Sequence, residues 1–431
     1  MPSTALLTDR YELTMLASAL RDDSAGRRCV FEAFARRLPE GRRYGVVAGA
    51  ARLLDALESF RFGPEELEAL DRAGLDAATL DVLADWRFTG DVDGYPEGEL
   101  YFPGSPVLTV TGTFGEAVVL ETLALSVLNH DCAIASAAAR MVTAAGDRSL
   151  IEMGSRRTHE EAAVAAARAA YLAGFSSTSN LEAGRRYGIP TAGTAAHSFT
   201  LLHATEAEAL RAQVDALGTD TTLLVDTYDI AAGIRTAIEV AGPELGAIRI
   251  DSGDLAVLAK EARELLDSLG ATRTRIVLSG DLDEWAIAGL GTAPVDVYGV
   301  GTAVVTGSGA PTAGMVYKLV EVEGRPVAKR SEHKATIGGR KTAVRRHRET
   351  GTATEEVLVS RGTPEVGEHD RLLQVPLVRD GSRVGGPSGG AALEAPRDHL
   401  RRVLRTVPWE GLKLSRGEPA LPTVLIEGSG S

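Results

Sequence analysis

Between residues 145 and 305 the chain carries a train of short apolar runs, each ending in small or acidic residues and each followed by a helical stretch. The runs are SLIEM (149–153), TTLLVD (221–226), GAIRID (246–251), RIVLSG (275–280) and VDVYGVG (295–301). Between the later ones stand IAAGIRTAIEVAG, DLAVLAKEARELLDSLG and DLDEWAIAGLG, apolar at helical spacing with Gly at or near the end. The last four runs start 20 to 29 residues apart, the period of βα units. Continuous apolar strands alternating with helices require a parallel sheet covered on both faces or a closed barrel. Polar residues gather at the C-terminal ends of the runs, at Asp226, Asp251-Ser252, Ser279-Gly280 and Gly299 to Thr302. Barrel enzymes place their active sites there, so the pattern favours an irregular (β/α) barrel of the α/β class.

The flanks read differently. Residues 5–75 are mainly helical in pattern, with FEAFARRLPE a strand running into a turn. Residues 90–112 are rich in Gly, Pro and β-branched residues and predict short antiparallel strands. Residues 114–145 predict a long Ala-rich helical pair, and VYKLVEVEGRPVAKR a hairpin around Glu-Gly. The expected organisation is an α+β N-terminal domain (1–125), the barrel (126–345) and a C-terminal segment (346–431) that packs on the N-terminal domain. The stretch 380–392 reads as a loop, and the final GSGS as a disordered end.

Charge narrows the function. The chain has 431 residues, with 46 Lys and Arg against 59 Asp and Glu, a net charge of -13. That excludes a general nucleic-acid or membrane-surface binder, which needs a positive field, but not a small anionic ligand. Two cysteines, Cys29 and Cys132, stand in no metal-ligand spacing and fit a reducing compartment. With no signal peptide and no run of about 18 apolar residues, the expected location is cytoplasmic. Against the acidic background, residues 325–348 hold nine basic residues and one acidic one. That contrast suggests that Lys329, Lys334, Arg340, Lys341, Arg345 and Arg346 meet phosphates, although charge runs are usually solvated faces.

Five short motifs can carry chemistry. GSRR (154–157) follows a strand, and its adjacent arginines can clamp a carboxylate or phosphate, or form a solvated pair. GTAAHSF (193–199) sets His197 among small residues with open approach, as base, ligand or nucleophile; a lone histidine is more often structural. RIDSGDL (249–255) flanks Ser252-Gly253 with Asp251 and Asp254, which can hold Mg²⁺ or sugar hydroxyls; Asp254 can equally cap the following helix. LSGDLDE (278–284) repeats that polar turn, with Asp281 the candidate cap. YGVGT (298–302) offers close backbone approach to a phosphate, weak evidence alone because Gly also serves simple turns. Together they describe an α/β barrel enzyme for a phosphorylated, Mg²⁺-bearing substrate.

In sequence order, LLTDRYELTM (6–15), FEAFARRLPEGRRYGVVAG (31–49), GSRR, GTAAHSF, LVDTYD (224–229), RIDSGDL, SGDLDE (279–284), YGVGTAVVT (298–306) and KRSEHKATIGGRK (329–341) resemble nicotinate phosphoribosyltransferase, of the type II phosphoribosyltransferases. The resemblance implies an irregular barrel with an additional α+β domain built from the N-terminal region and C-terminal segments. It implies transfer of phosphoribosyl from phosphoribosyl pyrophosphate (PRPP) to nicotinate, coupled to ATP through a phosphohistidine at His197, with Mg²⁺ present. It places Asp251 near the ribose hydroxyls with Arg249 at the ribose phosphate end, and Thr194, Ser198, Ser252 and Asp254 with the substrate. Arg156 would face the nicotinate carboxylate or a neighbouring phosphate, while Ser279, Gly280, Gly299, Gly301 and Thr302 would surround the 5′-phosphate. Asp9 and Tyr11 would reach the base from the partner subunit of a homodimer, and Lys334 and Lys341 would meet the pyrophosphate or ATP phosphates.

Three departures accompany the match. Where the related nicotinamide enzyme stacks the pyridine on an aromatic ring, this chain has Met153. Where that enzyme uses an aspartate for the amide, FSSTSN (175–180) has no acid, which favours an anionic carboxylate. The usual Pro-Gly turn is Gly338-Gly339. The alternatives are nicotinamide phosphoribosyltransferase, quinolinate phosphoribosyltransferase, which would give His197 no role, and a non-catalytic phosphate-sensing barrel.

Overall fold

The computed structural model describes residues 3–329, 337–360, 362–384 and 393–427. The chain forms two compact units, Met1–Ser136 with Ala310–Ser431, and Ala137–Gly309. These limits differ from the expected ones at 125 and 345. The strands Met315–Val322 and Lys341–His347, expected in the barrel, instead pair within the first unit, because their partners are its N-terminal and C-terminal strands.

The first unit is built on a seven-stranded antiparallel sheet. Its order is Arg325–Pro326, Met315–Val322, Arg28–Ala35, Leu108–Thr113, Asp91–Gly94, Val375–Arg379 and Ser382–Arg383. The Glu-Gly hairpin forms as the sequence suggests: Val322 pairs with Arg325, and Glu323 (φ 50) and Gly324 (φ 70) supply the left-handed turn that a two-residue connection requires. Phe31 stacks on Tyr317 across neighbouring strands at 4.9 Å between ring centroids, and both are buried. A second, four-stranded sheet holds Arg371–Leu372, Lys341–His347, Ala353–Ser360 and Thr423–Glu427.

The expected helical pair over 114–145 is a single 32-residue helical run, Phe114–Ala145, in which a 3-10 turn at Val118–Leu120 joins the short helix Phe114–Ala117 to the long one, Glu121–Ala145. Thr113 and Glu116 open it with reciprocal capping bonds, and no Pro or further Gly interrupts the Ala-rich run. It is long and apolar enough to cross a membrane by length and composition alone, and 61% of its most apolar window is buried inside the protein.

The second unit holds the parallel sheet, in the order Ser177–Thr178, Ser149–Glu152, Val297–Val300, Arg275–Leu278, Ala247–Ile250 and Thr222–Leu224. All its pairings are parallel. The apolar runs of the sequence are therefore its strands, but they form a half-barrel: Ser177–Thr178 and Thr222–Leu224 lie at opposite edges, and the chain between them folds mainly as the helices Leu181–Tyr187, His197–Leu202 and Glu206–Leu217. Aspartates close three of the strand-to-helix turns, with Asp229 and Asp254 accepting from the backbone N–H three residues on, 2.8 and 3.3 Å away. At the turn after Arg275–Leu278 the cap is Asp283, bonded to Trp285 N and Ala286 N, and not Asp281. Asp281 instead takes a left-handed conformation (φ 46) two residues earlier.

Candidate functional site

Arg249 is the hub of the strand ends. It leaves the strand Ala247–Ile250 and its guanidinium is only 14% exposed. Nε donates to Ser279 Oγ (2.8 Å), one terminal nitrogen to Thr194 Oγ1 (2.8 Å) and the other to Asp251 Oδ1 (3.0 Å). Ser279 Oγ donates to the same Asp251 oxygen. Two βα turns and the approach to the helix His197–Leu202 are thus tied to one side chain. Burial raises the Asp251 carboxyl, but the bonds from Ser279 and Arg249 and the charges of Arg249 and His197 outweigh it and hold the group below its ordinary range.

Asp226 lies beneath this constellation, its carboxylate 1% exposed. Oδ2 accepts from the Asp251 backbone N–H (2.8 Å) and from Ser252 Oγ (2.9 Å). Oδ1 is buried without a hydrogen-bond partner and lies 4.0 Å from His197 Nε2. The imidazole is 42% exposed, and Nδ1 is 3.2 Å from Thr227 Oγ1. With Nδ1–H donating to Thr227, Nε2 keeps its lone pair beside a carboxylate able to steady positive charge on the ring. Asp226 stood among the polar strand ends in the sequence but not among the candidate site residues. Its signal was its place in LVDTYD, equivalent to that of Asp251 in RID.

The glycines show where backbone must come close. Gly280 has φ +112, and a Cβ there would meet the Asp251 carbonyl oxygen at 2.3 Å. At Gly299 a Cβ would meet Met153 Sδ at 2.9 Å, so Met153 sits against this strand end. Gly301 precedes the short helix Thr302–Val305, whose Thr302 is exposed. Arg156 and Arg157 are both exposed at the turn after Ser149–Glu152. Ser198 is exposed on the helix that begins at His197.

The structure thus joins Thr194, Arg249, Asp251, Ser252 and Ser279 through direct bonds, with Asp226 added, and sets His197 beside them, bonded to Thr227 and 4.0 Å from Asp226. Asp254 is exposed and caps the helix Leu255–Ser268, the structural alternative weighed from the sequence.

The remaining candidates belong to the first unit. Asp9 precedes the helix Arg10–Arg21, and Tyr11 is 44% exposed, its phenol raised by burial and by the nearby Glu121 and Glu12 charges. Lys341, expected at a phosphate, is instead buried: Nζ donates to Glu32 Oε2 (2.8 Å) and to the Gly339 carbonyl (3.1 Å). Burial explains the difference, because Glu32 has no exposed surface and needs a cation beside it. Arg340, Arg345 and Arg346 likewise bond to Asp93, Glu99 and Glu356, and Glu355. The basic run therefore pairs largely within the protein. Lys334 lies outside the described residues.

Among the described residues no group of three or more His, Cys, Asp or Glu could hold a metal ion. The donors at the strand ends are separate carboxylates. Such a set fits Mg²⁺ carried on substrate phosphates and touched by one or two side chains, and does not fit a cage of protein ligands.

The model of the nicotinate phosphoribosyltransferase (NAPRTase) N-terminal domain matches residues 6–129, and that of the NAPRTase family matches residues 148–355. A nicotinate phosphoribosyltransferase of Mycobacterium tuberculosis is 64% identical over 98% of this chain and 95% of its own length. One from Bacillus subtilis is 38% identical, covering 86% of this chain and 79% of its own. The crystal structure of human nicotinic acid phosphoribosyltransferase superposes with a TM-score of 0.84 and 26% identity, covering 97% of each chain. This chain belongs to the nicotinate phosphoribosyltransferase family.

Proposed function

We propose that this enzyme transfers the 5-phosphoribosyl group of PRPP to nicotinate in NAD biosynthesis. The nicotinate ring nitrogen donates its lone pair to C1 of the ribose, the bond from C1 to the pyrophosphate oxygen breaks, and nicotinate mononucleotide and pyrophosphate leave. The observation that carries this reading is the Arg249–Asp251–Ser279 constellation at parallel strand ends, in a chain so similar over its length to a nicotinate phosphoribosyltransferase. Positive charge develops on the ribose as the bond breaks, and an Asp251 kept anionic beside the sugar stabilises it. Ser279, Gly280, Gly299, Gly301 and Thr302 would receive the 5′-phosphate, and Arg156 the nicotinate carboxylate. Mg²⁺, arriving with the substrate, would help to neutralise the charge of the leaving pyrophosphate, with Asp251 or Asp254 able to touch it.

ATP coupling is part of the proposal. His197 Nε2 attacks the γ-phosphorus of ATP; a P–N bond forms, the bond to the bridging oxygen breaks and ADP leaves. Water later cleaves the P–N bond and releases phosphate. With Nδ1–H facing Thr227 Oγ1 the lone pair of Nε2 is available, and this geometry together with the Asp226 oxygen 4.0 Å away supports the assignment. A homodimer with shared sites is also proposed, Asp9 and Tyr11 being supplied by the partner subunit. Leu201 (62% exposed), Leu202 (77%) and Tyr228 (63%), apolar side chains in the segments flanking His197 and Asp226, support a protein partner there.

The test is chromatographic detection of the mononucleotide from PRPP and Mg²⁺ with nicotinate or nicotinamide, each with and without ATP. Product from nicotinate, raised by ATP, is expected; product from nicotinamide alone would overturn the substrate assignment. His197→Ala is expected to abolish ATP hydrolysis and leave slow ATP-independent transfer. Normal hydrolysis by that variant would remove His197 from its role.

A further inference from the structure

The turn that carries Arg156 and Arg157 is enclosed by a ring of hydrogen bonds that the reaction chemistry does not require. Glu152, the last residue of its strand, is 1% exposed. One of its carboxylate oxygens accepts from the Gly154 backbone N–H and the other from Thr178 Oγ1, on the neighbouring edge strand. Thr178 Oγ1 in turn accepts from the Asn180 backbone N–H (3.0 Å), and Asn180 Nδ2 donates to Ser155 Oγ (3.0 Å). The path Gly154–Glu152–Thr178–Asn180–Ser155 thus closes on itself around the start of the turn. Asn180 is itself fixed, since its Oδ1 caps the helix Leu181–Tyr187 through Ala183 N (2.9 Å). The turn then closes through Arg157 N to the Gly154 carbonyl (2.8 Å).

Burying a carboxyl is costly unless its oxygens are hydrogen-bonded, and both Glu152 oxygens are. The chain of bonds holds the Gly154 backbone and the Ser155 side chain, the two residues before Arg156. We infer that the Glu152–Thr178–Asn180 chain is a positioning device that aims Arg156 at the substrate carboxylate, making these residues determinants of selectivity for a pyridine carboxylate over its amide. The inference rests on the proposed reaction and deepens it. None of the three touches a reacting atom in this assignment. Their effect passes through the direction of the guanidinium, where a displacement of the order of 1 Å weakens a bidentate contact.

The experiment compares wild type with Thr178→Val, Thr178→Ser and Ser155→Ala. Thr178→Val keeps the shape but removes the hydroxyl that joins Glu152 to Asn180, leaving a carboxylate oxygen unbonded. The expected result is a KM for nicotinate raised roughly tenfold, with kcat at saturating nicotinate and the KM for PRPP within about twofold of wild type. The preference for nicotinate over nicotinamide, as a ratio of kcat/KM values, should fall by a similar factor. Thr178→Ser restores the hydroxyl and should restore both numbers. Ser155→Ala cuts the ring at its accessible end, so it reports even where the core substitution impairs folding, with a rise of roughly threefold expected. Equal rises in both KM values, a loss confined to kcat, or no change in Thr178→Val and Ser155→Ala would overturn the inference. Wild type that makes no product from nicotinate would overturn the proposed reaction itself, a failure visible before any variant is read.

Discussion

Two clusters of the same residue types divide the work of this molecule. In the first unit Arg345 donates to Glu99 (2.6 Å), to Glu356 and to the Leu100 carbonyl (2.9 Å), and lies over the Phe102 ring, 5.1 Å from its centroid. Glu99 also receives Arg371 and His399, and Glu356 receives Tyr95 (2.7 Å) and Ser105. Arg345, Glu99 and Glu356 have no exposed side-chain surface. In the second unit two carboxylates, Asp251 and Asp226, again stand with arginine and histidine, here Arg249 and His197, yet Asp251 is 33% exposed, His197 42%, and one buried Asp226 oxygen has no partner. The first cluster seals strands and a helix from distant parts of the sequence into one body. The second holds an acceptor and an imidazole open for something that arrives. Residue type does not separate structure from chemistry here, and neither does one unpartnered polar atom, since Arg345 Nε has none either; exposure of the charged groups does.

The largest effect that could break this contrast is Arg345→Met. It leaves two buried carboxylates without their shared cation, and a loss of about 3–5 kcal/mol in unfolding free energy is expected, read by urea denaturation. Specific activity per folded molecule should stay near wild type. A loss below about 1 kcal/mol would mean that the sealed cluster is not what holds the strands. Next comes Asp251→Asn, which keeps the shape but not the charge; a fall of roughly 10²- to 10³-fold in kcat/KM is expected from steady-state kinetics, with stability within about 1 kcal/mol of wild type.

Acid sharpens the comparison from the other side. Burial raises the Glu99 carboxyl, but the Arg345 charge and the bonds from His399 and Arg371 outweigh it and hold the group well below its usual range. A carboxyl lowered in the folded state stabilises fully above its unfolded value, roughly pH 4, and loses that contribution as pH falls through the folded value. Wild type should therefore exceed Glu99→Gln by a constant margin from neutrality to about pH 4, and the margin should close only in stronger acid. Denaturation midpoints across that range check it. A margin already shrinking near neutrality would contradict the ion pairing.

Much of the second unit was legible in the sequence because parallel strands are buried on both faces and read as continuous apolar runs, each punctuated by the polar residues that become the site. Arg249, Asp251 and Ser279 could be found for that reason. What the sequence did not yield depends on long-range pairing. Lys341 looks like a phosphate ligand until Glu32, more than three hundred positions away, is found beside it. The half-barrel could not be told from a closed one, because closure is decided by edge pairing between strands and not by the apolar pattern of any one of them. Asp226 was passed over although LVDTYD sets it where RID sets Asp251, because what singles it out, an unpartnered buried oxygen near His197, is visible only in three dimensions.

Asp254 tests the boundary between the two kinds of carboxylate with the smallest expected effect. Its Oδ1 caps the helix Leu255–Ser268 at 3.3 Å from Val257 N, while the residue is exposed beside Asp251 and Ser252. Asp254→Ala removes both cap and charge and should lower stability by about 1 kcal/mol, read by denaturation. Asp254→Asn keeps an acceptor for Val257 N and should recover most of that stability. If the carboxylate also meets substrate, the two variants should share a KM for PRPP raised about threefold, because that contact needs the charge and the cap does not. A KM unchanged in both variants would assign Asp254 wholly to the fold. Stability lost in neither would deny the cap, and the contrast between carboxylates that are used up and carboxylates that are kept open would then run through this residue on the chemical side alone.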